Sequence, residues 1–318
     1  MKAGKQTTLG ARATVSGIGV HSGAPASLTF HPAEADTGIV FIRLDAKGRP
    51  EREVRAHARF VTATELATVL GDDDHGPCVS TIEHIMATLC GLGVDNALIE
   101  IDGPEAPIMD GSAAAFVAAI DQAGVVTLPA ARRYTKVLKP IRVEKGEAYG
   151  ELTPYDRGFR VDVTIDFPHE LIGQQSIALE VEPGTFRREV ARARTFGFMR
   201  DVSKLWSAGY ARGSSLENTV VMADDRLLNP EGLRYADEFV RHKALDAIGD
   251  LALAGAPLLG AYKSVKGGHK LNHAILCALI ADPTAWTVVE AKSERRPARR
   301  GHADIGGIVL PAYRADLS

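Results

Sequence analysis

Cysteine is scarce in this chain of 318 residues: there are three, Cys78, Cys90 and Cys277, an odd number with no CxxC spacing. That count argues against a disulfide framework or a Cys-rich structural zinc site, and it fits thiols in a reducing cytoplasm. Long apolar runs are missing too. Nothing approaches the ~18 consecutive apolar residues of a membrane-spanning helix. The stretch MKAGKQTTLGARATVSG carries basic residues without the apolar core of a secretory signal. Charge of one sign is not in excess either: 37 Lys and Arg stand against 40 Asp and Glu, a formal net charge of -3. No global field draws such a chain to nucleic acid or an anionic membrane. With 45% hydrophobic and 24% charged residues, the expectation is a globular cytoplasmic protein with no transmembrane segment and no nucleic-acid partner. The length favours two domains of about 150 residues.

What is present reads as α+β. From residue 5 to 62 short alternating runs, such as 26–30 and 40–42, are broken by Gly, Pro and Asp, which is the pattern of strands and turns. A helix is predicted at 80–90, a strand at 96–101 and a second helix at 112–123. The stretch LPAARRYT (128–135) breaks the pattern and is read as the domain boundary, giving domains of 1–130 and 135–318. The second half repeats the order: strands in 136–182, a loop-rich region at 195–232, helices at 238–254 and 271–281, and a strand at 287–290. Strands followed by two helices, twice over, predict two domains of similar plan.

The helix at 238–254 carries the strongest chemical signal. At about 100° per residue, Val240, Ala244, Ala247, Ile248 and Leu251 form a core-facing stripe. His242, Asp246 and Asp250 follow i, i+4, i+8 on the other side, where a His and an Asp one turn apart can share a cation. The plain alternative is a solvated face in which Asp246 and Asp250 pair with Lys243 or Arg241. On the helix at 80–90, Ile82, Ile85, Met86 and Leu89 make the apolar face while His84 projects away with Glu83 beside it. His84 could supply a third ligand to His242 and Asp246. Two His and one carboxylate form the ligand set of an open catalytic zinc site. The alternatives are a surface histidine and, for Glu83, a capping box with Ser80. His269, in a glycine turn opening a helix, is a loop histidine on its own, and His269 with His273 makes a rival metal pair. Three other patterns carry less: HELIG (169–173) lacks the second histidine of HExxH, SGIGVHSG lacks dinucleotide-fingerprint spacing, and Asp72-Asp73-Asp74-His75 reads as a solvated acidic loop.

Seven stretches then stand out in order: SGIGVHSG (16–23), STIEHIMATL (80–89), MDGSAAAF (109–116), RTFGF (194–198), SLENTVV (215–221), EFVRHKALDAIGDL (238–251) and GGHKLN (267–272). With them the chain resembles, nearly end to end, the UDP-3-O-acyl-N-acetylglucosamine deacetylase family, zinc enzymes of early lipid A synthesis in Gram-negative bacteria. One small departure is Ala115, where the family has proline. The resemblance implies that His84, His242 and Asp246 hold one Zn2+ per chain, with iron(II) able to occupy the same donors. It implies Glu83 as general base, His269 as stabiliser or acid, Asp250 as the carboxylate orienting it, and Thr195 at the oxyanion. Lys243 and Phe196 match substrate-contacting positions. The family fold is two α+β domains of like topology, helix layers packed between the sheets, with a small insert in each. The second insert, here about 198–221, forms an acyl-chain passage, for which Met199, Val202, Leu205 and Val221 are the expected apolar residues.

The substrate so implied is a UDP-linked acylated N-acetylglucosamine, and the protein is expected to act as a cytoplasmic monomer. Two alternatives remain at this point: a zinc amidohydrolase of another N-acetylated sugar, and a non-catalytic nucleotide-sugar-binding protein whose metal only joins its domains.

Overall fold

The computed structural model of the chain describes residues 4–72 and 74–291. The residues after 291 in the expected second domain, and Asp73 of the acidic loop, lie outside the described residues. The fold is mixed α+β, with several sheets and few long helices. Alternating side chains build the sheets: Pro25–Pro32 buries Ala26, Leu28 and Phe30, and Phe159–Phe167 buries Phe159, Val161, Val163 and Ile165.

The first large sheet runs in the order Ala13–Ile18, Pro25–Pro32, Ala97–Ile101, Ile39–Leu44, Pro50–Arg55. Its central strand is antiparallel to Pro25–Pro32 and parallel to Ile39–Leu44. The second runs Ile141–Lys145, Ala148–Thr153, Leu258–Val265, Phe159–Phe167, Gly173–Glu180, and here Leu258–Val265 is antiparallel to Ala148–Thr153 and parallel to Phe159–Phe167. Leu258 and Leu259 also pair with Arg133–Val137, which continues to Trp286–Glu290.

The stretch expected to break the pattern does not. Val125–Ala131 is a strand paired with Lys5–Leu9, and Arg133–Val137 enters the second sheet, leaving Arg132 alone between them. Pro129 is tolerated because it sits in a two-stranded ribbon, where the register shifts opposite Gln6 and no ladder donor is needed.

Four helices position the site: α1 (Glu83–Leu92), α2 (Ala114–Ala123), α3 (Glu238–Leu251) and α4 (His269–Ala281). The first ends where Gly93 adopts φ 74°, a left-handed stop that returns its amide to the carbonyls of Leu89 and Cys90. No capping box starts it. Thr81 sits at φ 60° with its hydroxyl on Glu105, and Glu83 turns its carboxylate to the Thr68 amide instead of back along its own helix. Both α1 and α3 are buried almost all round, with only Cys90 of α1 and only Arg241 and Lys243 of α3 short of full burial. Each therefore packs on a sheet with one face and on the other helix with the opposite face. The crossing is close because Gly249 of α3 lies on the α1 backbone: a Cβ there would stand 2.0 Å from the Glu83 carbonyl oxygen. One hydrophobic cluster runs through both sheets and both helices. Among the described residues no helix is long and apolar enough to cross a membrane.

Candidate active site

The polar row of α3 faces α1 and not solvent, so the solvated-face reading of His242, Asp246 and Asp250 does not hold; all three are at most 2% exposed. His84 reaches them from α1, itself buried and not a surface histidine. Ligand atoms of His84, His242 and Asp246 lie within 4.8 Å of one another. Asp246 Oδ1 is 3.3 Å from His242 Nε2 and 3.8 Å from His84 Nε2, and the two rings meet edge to face at 5.0 Å. Its other oxygen, Oδ2, accepts from Lys243 Nζ at 2.7 Å.

His242 Nδ1 donates to the Ala193 carbonyl at 3.1 Å, which leaves the Nε2 lone pair facing Asp246. Burial keeps both imidazoles neutral: it lowers His242, and with help from His242 it lowers His84 to about 3. Burial alone would raise Asp246, but His242, Lys243 and His269 outweigh it and hold the carboxyl well below its usual range. Lone pairs of two neutral imidazoles and one carboxylate thus converge at a buried point. That donor set fits a divalent metal of the zinc kind.

Beside it stands a second cluster. Glu83 Oε2 accepts from the Thr68 amide at 3.0 Å, and Oε1 lies 3.9 Å from His269 Nε2. Burial raises Glu83 to about 7, with His269 opposing and Asp250 and Asp246 assisting. His269 Nδ1 donates to Asp250 Oδ2 at 2.8 Å. Burial would lower this imidazole, but the carboxylates of Asp250, Glu83 and Asp246 raise it to about 10. Asp250 also accepts from Asn272 at 2.9 Å and from the Thr68 hydroxyl at 2.5 Å. A buried carboxyl poised near neutrality beside an oriented, cationic histidine is the equipment for moving a proton.

Phe196 packs edge-on to Phe239 at 5.0 Å and to His242 at 6.4 Å, with Lys243 Nζ 5.8 Å from its ring centre. Thr195 follows Ala193 by two residues and is tied to Gly111 and Val220 through its backbone. The insert contains a short helix, Val202–Ser207, between Phe196–Phe198 and Val220–Met222, two strands that pair in parallel. Met199 is 54% exposed, while Val202, Leu205 and Val221 are half-buried. The far end of the insert meets the other half of the chain: Arg212 and Gly213 donate backbone bonds to His21 and Val20, and Tyr210 stacks edge-on against His21 at 5.4 Å.

His273 does not pair with His269; its Nε2 lies 3.0 Å from the Ala58 carbonyl. The three cysteines are free and stand outside the His84, His242 and Asp246 group. In the acidic loop Asp72 is bound by Arg52 and His75, both at 2.8 Å. Two residues of the site escaped the sequence reading. Thr68 lies in a loop with no motif around it. Glu105 binds the amides of His21 and Ser22 and the Thr81 hydroxyl, and it fills the space a Cβ on Gly19 would need. Gly249 has a signal that could have found it, since a glycine inside a helical pattern costs about 1 kcal/mol against alanine and so points to a packing reason.

The family model described as UDP-3-O-acyl N-acetylglycosamine deacetylase matches residues 6–281. Curated proteins of Brucella ovis, Brucella canis and Brucella melitensis biotype 2, each named UDP-3-O-acyl-N-acetylglucosamine deacetylase, are similar to this chain. Each is 51% identical over 287 residues, covering 90% of this chain and 99% of the relative.

Proposed function

The chain belongs to the UDP-3-O-acyl-N-acetylglucosamine deacetylase family, and from that membership and the site geometry we propose a zinc-dependent route to its reaction. The reaction is hydrolysis of the acetamide of a UDP-linked 3-O-acyl-N-acetylglucosamine, releasing acetate, in lipid A biosynthesis. One observation carries the residue assignment: three metal-ligating side chains from two helices converge beside a buried carboxyl and a carboxylate-bound histidine.

His84, His242 and Asp246 would hold one Zn2+ per chain. A zinc ion so bound supplies Lewis acidity toward the acetamide carbonyl and toward water. Glu83, its Oε2 pinned by the Thr68 amide, accepts the proton of the attacking water. Protonated His269, oriented by Asp250, and the Thr195 hydroxyl supply positive partners for the oxyanion. The leaving nitrogen takes its proton from one of the two groups that then carry one, Glu83 or His269. Lys243 keeps its charge: burial would lower it, but Asp246 outweighs burial. Lys243 and Phe196 flank the substrate, and Met199, Val202, Leu205 and Val221 line the acyl passage. The apolar exposure of Met199 and the bridge from the insert to His21 support that passage.

Two units of like topology, 1–130 and 135–318, are part of this reading. Its support is the matching strand order of the two sheets, each with a central strand that follows one site helix and precedes a second. We take the enzyme to be a cytoplasmic monomer on the family resemblance alone. The test is acetate release from UDP-3-O-acyl-N-acetylglucosamine, lost on chelation and restored by zinc. Turnover that survives complete chelation overturns the metal assignment.

A further inference from the structure

We infer that Thr68 is a positioning residue that sets the base and the histidine of the site relative to each other. The inference rests on the reading of Glu83 and His269 given above. Thr68 is 1% exposed and lies just before the strand Val69–Asp72, in the first half of the chain. Its three polar groups are all engaged at the site. The amide donates to Glu83 Oε2 at 3.0 Å, and the carbonyl accepts from Ile82 at 3.4 Å, at the start of α1. The hydroxyl donates to Asp250 Oδ1 at 2.5 Å, 182 positions away in sequence, and its oxygen lies 3.4 Å from His269 Nδ1.

This division of labour has a geometric consequence. Asp250 uses Oδ2 for His269 and Asn272, so the Thr68 hydroxyl is what opposes rotation of the carboxylate from its other side. Rotating Asp250 would turn the His269 ring, whose Nε2 stands 3.9 Å from Glu83 and 4.0 Å from Asp246. A single backbone unit therefore holds the base through its amide and the histidine through its side chain. Thr68 is buried and its polar groups are all taken up by Glu83, Ile82 and Asp250, so its removal should act on kcat and leave KM alone.

The experiment compares zinc-loaded wild type, T68V, T68S, D250N and T68V/D250N with E83Q as the benchmark. T68V keeps the amide on Glu83 and loses only the hydroxyl. Its kcat should fall by about tenfold to a hundredfold, the range for losing one hydrogen bond to a charged group, with KM within about twofold and zinc content unchanged. T68S should recover to within about threefold, and T68V should cost little further in the D250N background. T68A replaces T68V if the valine variant does not fold. The inference is overturned if T68V or T68A turns over like wild type, if T68S is as impaired as T68V, or if T68V and D250N are additive. E83Q should lose roughly 10²–10⁴ in rate. Near-native E83Q turnover would sink the reading of the site, and the Thr68 inference with it. A collapsed E83Q beside a native T68V would sink the Thr68 inference alone.

Discussion

Gly249→Ala tests whether the helix crossing, and not the ligand residues alone, makes the site. In an exposed helix this substitution stabilises by about 1 kcal/mol, because alanine loses less backbone entropy than glycine. Here the new Cβ would stand 2.0 Å from the Glu83 carbonyl oxygen, 2.8 Å from its carbonyl carbon and 3.1 Å from the Ala87 nitrogen. An ordinary non-bonded contact is about 3.5 Å, so the first approach is about 1.5 Å too close. All three contacted atoms are backbone, and the helix that carries them is buried on both faces, so no side chain can swing away. Overpacking of this kind costs about 1–3 kcal/mol and exceeds the propensity gain at most of that range.

The displacement also falls on the chemistry. Glu83 is the residue struck, and His84 follows it, while His242, Asp246 and Asp250 ride on the helix that must move away. A misplacement near 1 Å costs about a hundredfold in rate. The expected result is a Tm lowered by roughly 2–8 °C, weaker zinc retention, and kcat/KM down by about a hundredfold or more. Differential scanning calorimetry, metal analysis and the acetate assay read these three quantities. A variant with raised Tm and near-native kcat/KM would refute the argument, because propensity would then have outweighed the clash.

His242→Ala should lose stoichiometric zinc, while a triple Cys78, Cys90 and Cys277→Ser variant keeps it; zinc retained by His242→Ala would remove that residue from the ligand set. The pH profile of kcat/KM should be bell-shaped, rising as Glu83 ionises through about 7 and falling as His269 loses its proton toward about 10. Asp250→Asn removes a carboxylate that raises both groups, so both limbs should move to lower pH, the alkaline limb further because His269 also loses its direct hydrogen-bond partner. An alkaline limb that stays in place assigns it to another group.

Local order was written in the sequence wherever a periodic pattern carried it. The apolar stripe of Val240, Ala244, Ala247, Ile248 and Leu251 placed α3 and set His242, Asp246 and Asp250 on one side, because 3.6 residues per turn leave no other arrangement. Alternation likewise placed the strands around Leu28 and Phe30. The strands on either side of Arg132 are not legible in 128–135 because Pro129 and its neighbours lack alternation, which a bulged edge ribbon does not require.

The covering of each face was decided only by tertiary structure. Periodicity separates two sides of a helix but does not say what lies against the polar one, so Asp246 and Asp250 could as well have faced water beside Arg241. Burial between α1 and α3 settled the matter, and it also sets the pKa directions: desolvation lowers His84 and His242 and raises Glu83, while the charges brought together there push Asp246 down and His269 up. Glu83 read equally well as a cap until its carboxylate was found on the Thr68 amide. Thr68 itself left no local signal, because its hydroxyl bonds a residue 182 positions away, a distance at which sequence spacing carries no geometry.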